Sequence, residues 1–149
     1  MPAKGRQGMV LRDTRTGLIL EQMIVPALRG GGYLSSRQVH IGARLGGGKH
    51  LVDFIAEDRA GRAYLVSVKW QQVTGTAEQK VPFEAMCLAE AILESKGKYV
   101  KAYLVLGGAG WKLREFYTGG GLDQYLRYGD LVRIVSLEAF VAKANRGQL

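Results

Sequence analysis

The side chains most able to do chemistry lie on two strand-like segments joined by a turn. The first, His50 to Glu57, holds Asp53. The second, Arg62 to Gln72, holds Ser67, Lys69 and Gln71, and Asp58-Arg59-Ala60-Gly61 between them is a turn signal. Alternate residues of a strand share a face. Val52, Phe54 and Ala56 therefore make one apolar face with Val66, Val68 and Trp70, while Asp53, Ser67, Lys69 and Gln71 occupy the other. A turn centred near residue 60 sets Asp53 opposite Ser67 with Lys69 one diagonal away, within reach of a common ligand. Alone, this carboxylate and lysine also describe an ion pair on an exposed hairpin. The strands are apolar enough, however, that their second face needs a cover.

The most helical stretch, Thr76 to about Ser95, can supply that cover. Thr76 and Gln79 fit a capping box, and Val81, Ala85, Leu88 and Ile92 form one apolar stripe. Glu84 sits on the edge of that stripe. A carboxylate at a buried edge needs a cation or a metal; Lys80, one turn back, is one such partner. Glu78 lies near the start of the helix, where the positive end of the macrodipole favours an acid. Ahead of the hairpin, a helix from about Gly17 to Arg29 carries Glu21 and the stripe Leu20, Met23, Ile24, Ala27 and Leu28, with Thr16 as its cap and Pro26 as a kink. A strand over Gln38–Arg44 follows. After the long helix come a strand at Tyr99–Leu106, short helices at Lys112–Tyr117 and Leu122–Tyr128, a strand at Leu131–Val135 and a last helix at Glu138–Asn145. The order predicts an α/β fold with a central mixed sheet flanked by helices.

Composition narrows the function classes. The 149 residues carry 21 basic and 13 acidic side chains, a formal charge of +8 with a pI near 9.8. That length predicts one domain with a real core, and the apolar content excludes a disordered chain. No run approaches about 18 apolar residues, so no membrane partner is expected. Residues 1–13 read as a basic N-terminal arm containing Lys4 and Arg6, without the apolar run of a secretory signal. The lone Cys87 excludes a disulfide framework and a cysteine zinc site, and with the missing leader it points to a reducing cytoplasm. His40 and His50 have no partner pattern and read as structural. Three glycine triplets, Gly30–Gly32, Gly46–Gly48 and Gly119–Gly121, read as loops; none has the spacing of a phosphate-binding loop. The basic balance suits a phosphate backbone. Arg37, Arg44 and Lys49 around the second triplet, with Lys80, read singly as solvated charges and together as a backbone clamp, which positions a nucleic acid without reading its bases.

The segment Gly46-Gly47-Gly48-Lys49-His50-Leu51-Val52-Asp53, followed by Leu65-Val66-Ser67-Val68-Lys69, resembles the signature of the PD-(D/E)XK nuclease superfamily. There an acid ends one hairpin strand and an acid-x-Lys motif lies on the next. The order helix, three strands, helix, strand is similar to the core of that fold. Glu21, Arg44 before the glycine loop, Asp53 and Lys69 look most like archaeal-type Holliday junction resolvases. The resemblance implies a restriction-endonuclease-like core and a Mg²⁺-dependent endodeoxyribonuclease, with Mn²⁺ able to substitute. Its DNA substrate would be a four-way junction, met in recombination and repair and cut by a symmetric homodimer. Tyr117, Leu122, Tyr125, Leu126 and Tyr128 are candidates for the dimer interface or for the core. The same resemblance allows a restriction- or repair-type endonuclease on duplex DNA, or a DNA-binding domain of this fold without catalysis.

Ser67 departs from the pattern, because it stands where the second motif has its acid. A subgroup of restriction endonucleases also reads Ser-x-Lys and supplies the acid from the next helix, which makes Glu84 the first candidate here and Glu78 the second. The resemblance then implies metal ligation by Asp53, Glu84, the main-chain carbonyl of Val68 and Glu21. Lys69 would orient the attacking water or stabilise the phosphate. Gln71 would hydrogen-bond either of them, or serve only as a polar strand residue.

Overall fold

The computed structural model describes residues 17–149. The expected arm at 1–13, with Lys4 and Arg6, and the Thr16 cap lie outside the described residues. Helix α1 spans residues 17–30 and is not uniform. Leu20–Ile24 form a π-helical turn, and Val25–Gly30 continue as α-helix with Pro26 in the first turn. Proline has no N–H to give and its ring crowds the preceding turn. The widened turn, in which Val25 N–H bonds the Leu20 carbonyl, takes up the ring where the sequence predicts a kink. Glu21 lies within that turn.

Strand β1 (Leu34–Ala43), β2 (Lys49–Glu57) and β3 (Ala63–Trp70) form an antiparallel meander. Helix α2 (Ala77–Glu94) crosses over to β4 (Tyr99–Gly107), which runs parallel to β3. The short α3 (Arg114–Thr118) and two 3₁₀ turns lead to β5 (Val132–Ser136), parallel to β4, and α4 (Leu137–Asn145) closes the series. The five strands stand in sequence order in one mixed sheet. One face is covered by α2, through Val81, Ala85, Leu88 and Ile92. The other is covered by α1 and α4, through Ile24, Leu28, Phe140 and Ala144. This is the restriction-endonuclease-like α/β architecture predicted above. Among the described residues no helix is long and apolar enough to cross a membrane.

Three local expectations are corrected. The helix expected at Leu122–Tyr128 is only two 3₁₀ turns, Gly121–Gln124 and Gly129–Leu131. Glycines bracket a segment too short to nucleate a helix in isolation. The capping box of α2 does not form, since Thr76 is itself helical and its side chain makes no cap bond; Gln71 caps Ala77 N–H instead, at 3.1 Å. Finally, Val52 does not share a face with Phe54 and Ala56. Val52 packs with α2, whereas Phe54 and Ala56 pack with α1 and α4. Alternation breaks at Asp53, level with Gln38 of β1, whose φ of 51° is the left-handed conformation. A break of this kind re-aims side chains at a sheet edge.

Helix α2 also contains an interior proline, Pro82. Its missing N–H would leave the Glu78 carbonyl without a helical donor. The Tyr117 hydroxyl donates to that carbonyl at 2.7 Å, so α3 completes the bonding of α2. Tyr103, by contrast, is fully buried and its hydroxyl has no partner among the described residues. The two tyrosines should therefore answer the same substitution with opposite signs. Tyr117→Phe is expected to cost about 1–2 kcal/mol, and Tyr103→Phe to be neutral or stabilising by up to about 1 kcal/mol, as read by urea unfolding. Burial pushes the Tyr103 phenol up to about 12, so wild type should also lose stability as pH rises from about 10 to about 12, and Tyr103→Phe should lose less.

Candidate active site

The site forms where the β2–β3 ladder ends. Four pairs run from Glu57↔Ala63 to Phe54↔Val66, the register that the turn near residue 60 predicts. Asp53 comes next, and its carboxylate takes the Val68 N–H at 2.5 Å. A side chain thus replaces the ladder beyond the last pair, and Asp53 is held against β3 at the level of Ser67–Lys69. Burial pushes the Asp53 carboxyl above its usual range, and the Glu84 charge adds to this; the Val68 N–H and Lys69 act against it.

Glu84 meets this point from α2. Its side chain is almost wholly buried. The Ser67 hydroxyl donates to Oε2 at 3.0 Å, Arg44 donates to Oε1 at 2.7 Å, and His50 Nε2 lies 3.4 Å from Oε2. The carboxylate therefore reaches the strand position that has a serine in place of an acid. Burial alone would push it up, but the His50 hydrogen bond, the Lys69 charge and Arg44 outweigh burial and hold it at about 2. A carboxylate can only accept, so Nε2 carries the imidazole proton; the buried Nδ1 has no partner among the described residues. His50 is the residue that sequence reasoning missed. It shares a face with Val52, and the break at Asp53 sets both toward α2.

The other expected residues separate into two groups. Arg37 pairs with Glu21 of α1 and contributes to the charge felt by Asp53, so both stand at the rim of the site. Arg44 leaves β1 into the triplet Gly46–Gly48, whose φ values of 85°, 99° and 85° suit only glycine. The tight loop turns Arg44 toward Glu84, with its guanidinium 5.6 Å from the Phe83 ring centroid. Lys49 and Lys80 are exposed. Gln71 is committed elsewhere. Its amide accepts from Ala77 N–H and donates to the Gly110 carbonyl at 2.8 Å, so the expected contact with water or phosphate gives way to a clasp between β3, α2 and the loop after β4. That loop passes so close that a Cβ on Gly110 would lie 2.5 Å from the Val73 carbonyl carbon. Glu78, the second candidate acid, accepts the Lys112 N–H and likewise ties α2 to the following loop. Tyr117 and Leu122 belong to the core, while Tyr125 and Tyr128 are exposed and Leu126 is half-buried.

Among the described residues, no group of three His, Cys, Asp or Glu side chains converges as a metal cluster. The available donors are two carboxylates, Asp53 and Glu84, and main-chain oxygen. Glu84 uses three of its four lone-pair sites and keeps one on Oε1. An all-oxygen set with few protein ligands fits Mg²⁺, which retains several waters. Burial, with the Glu84 charge as a smaller contribution, raises the Asp53 carboxyl, and a divalent cation would favour its ionised form.

The fold and the paired carboxylates define a class of enzyme scaffold, and the sequence comparison places the chain within it. The chain belongs to the PD-(D/E)XK nuclease superfamily: the model of the superfamily domain matches residues 12–148. No curated protein matches it in sequence. Three solved structures resemble it. One is the protein of unknown function AF1548, at 14% identity and a TM-score of 0.47, covering 76% of this chain and 54% of that one. Another is a repair endonuclease from Pyrococcus abyssi, at 16% identity and a TM-score of 0.43, covering 80% and 43%. The third is EndoMS in complex with double-stranded DNA, at 19% identity and a TM-score of 0.43, covering 82% and 43%. The chain thus spans about half the length of the structures it matches.

The two carboxylates should act oppositely on stability in metal-free protein. Glu84 is depressed, so its contribution is full above about 4.5 and is lost as pH falls toward about 2. Asp53 is raised, so its ionisation opposes folding once pH rises above 3.8. Glu84→Gln is expected to cost about 3 kcal/mol at pH 7, and Asp53→Asn to raise the melting temperature. Urea and thermal unfolding at pH 7 in EDTA check both signs.

Proposed function

We propose that this chain is a divalent-metal-dependent endonuclease that cuts the backbone of duplex DNA, of restriction or repair type. The observation that carries the reading is Glu84, whose carboxylate lies on the Ser67 hydroxyl at 3.0 Å and so stands in for the acid that strand β3 lacks. Asp53 and Glu84 would hold Mg²⁺, or Mn²⁺ in its place, with the Val68 carbonyl as a main-chain ligand. The metal, when bound, supplies an acidified water and a counter-charge for the phosphate.

The chain's own residues supply placement. Asp53 is fixed by the Val68 N–H, and Glu84 by Ser67 and His50, so both carboxylates are oriented before substrate arrives. Lys69, half-buried and close enough for its charge to lower both carboxyls, is placed to orient the attacking water or to steady the charge growing on the phosphate. Glu21 and Arg37, paired at the rim, would steer a metal-bound water and the scissile strand respectively. Arg37, Arg44, Lys49 and Lys80 would grip neighbouring phosphates, giving a log–log salt slope of about −0.9 per contact.

The four-way junction and its symmetric homodimer are the second reading. Duplex DNA is taken first because the superfamily match supports a nuclease in general, and one chain holds the whole arrangement of Asp53, Ser67, Lys69, Glu84, Arg44 and His50 without a second copy.

The test incubates labelled linear duplex and a synthetic four-way junction with protein, in Mg²⁺ and in EDTA. Cutting of the duplex in Mg²⁺ and none in EDTA is expected, with Glu84→Gln reducing the rate at least 100-fold while binding stays within about threefold. Paired nicks confined to the junction would replace the duplex reading with the junction one. Binding without any cutting would make the chain a DNA-binding domain that has lost catalysis.

A further inference from the structure

A second group of cations lies on the face of the sheet away from α2. The β4–β5 register sets Tyr103 beside Arg133, and Lys101 lies two residues before Tyr103 on the same face. Lys143 is in the last turn of α4, whose Phe140 and Ala144 pack into the same core as Tyr103. The Lys101 stem is half-buried and its ammonium lies 5.4 Å from the Tyr103 ring centroid. Burial first, then the charges of Arg133 and Lys143, pull the Lys101 ammonium below its usual range. Arg37, Arg44, Arg62 and Arg114 each have a carboxylate partner, whereas none of these three does among the described residues. Like charges held together without a counter-charge work against the fold, and an anion reverses the sign of that interaction.

We infer that Lys101, Arg133 and Lys143 form a phosphate-binding patch that takes the backbone of a second nucleic-acid segment, apart from the candidate active site; the ligand class rests on the nuclease reading. The two sites are separated along the strands and across the sheet. Lys101 pairs with Tyr64 of β3 and Lys69 pairs with Leu106 of β4. Tyr64 and Lys69 are thus five residues apart on one strand, roughly 17 Å at the usual rise. Lys101 shares a face with Tyr103 in the core under α1 and α4, and Lys69 shares a face with Leu65 in the core under α2. The two groups of side chains therefore face opposite sides of the sheet. The three cations stand on two strands and a helix rather than around a closed cavity. That suits a row of phosphates better than a single small anion.

The experiment immobilises one duplex, adds protein in EDTA so that nothing is cut, and measures retention of a second, fluorescent duplex. Wild type should retain it. The triple variant Lys101→Gln, Arg133→Gln, Lys143→Gln should bind the first duplex within about twofold of wild type and retain at least tenfold less of the second. Lys101→Gln alone should raise the melting temperature, because it relieves the repulsion; an unchanged or lower value would overturn the strain argument. Inorganic phosphate provides the other arm. Phosphate that raises the melting temperature of wild type but not of the triple variant, with no second duplex retained, would assign the patch to a free anion and overturn the nucleic-acid ligand. Wild type that binds one duplex, retains no second and does not respond to phosphate would overturn the patch. Wild type that binds no DNA would overturn the nuclease reading beneath it.

Discussion

The Glu84 carboxylate is the point on which the site depends. A charge this deep in a protein is tolerated only when its lone pairs are met by donors and its charge by cations. Here the donors come from three places in the chain: Ser67 on β3, His50 on β2 and Arg44 in the glycine loop after β1. The single carboxylate therefore binds α2 to the meander, and the meander arranges itself around the carboxylate. Its bond to the Ser67 hydroxyl also brings a helix carboxylate onto strand β3.

The surrounding structure keeps α2 in the register this contact demands. Pro82, two residues before Glu84, breaks the helical bonding, and Tyr117 repairs it by donating to the Glu78 carbonyl. Glu78 reaches forward to Lys112, and Gln71 caps the helix while clasping Gly110. These bonds use polar side chains that would otherwise be free for chemistry. Buried polar groups must find partners inside the protein, and in this fold the nearest ones are backbone groups of neighbouring loops. Gln71 and Glu78 are thus part of the frame, while Asp53, Glu84 and Lys69 remain at its opening.

Asp53 and Glu84 show how one site can hold two carboxylates on different terms. Glu84 is surrounded by donors and cations and is stabilised as an anion. Asp53 has one backbone donor and the repulsion of Glu84, and burial works against its charge. The asymmetry follows from where each stands: Glu84 projects from a helix into a polar cluster, and Asp53 lies at the end of a ladder. A cation between them would favour both. The local cost at Asp53 is of the kind that proteins carry at sites that bind a ligand.

The order of strands and long helices, the hairpin register and the placing of Asp53, Lys69 and Glu84 near one another were legible in the sequence. They follow from local rules: period-two and period-3.6 patterning, a turn signal, and an acid on the edge of an apolar stripe. Ser67 could be read as a missing acid because its position relative to Lys69 is a matter of spacing. Three things were decided only by tertiary structure: the turning of His50 toward Glu84, the capture of Arg44 and the withdrawal of Gln71 into a clasp. Each depends on a partner far away in sequence. The break in alternation at Asp53 lies level with Gln38 on a neighbouring strand, where β1 takes a positive φ. A residue type and its spacing state which bonds a side chain can make, and the packed chain selects among them by which donors, acceptors and charges remain unpaired nearby.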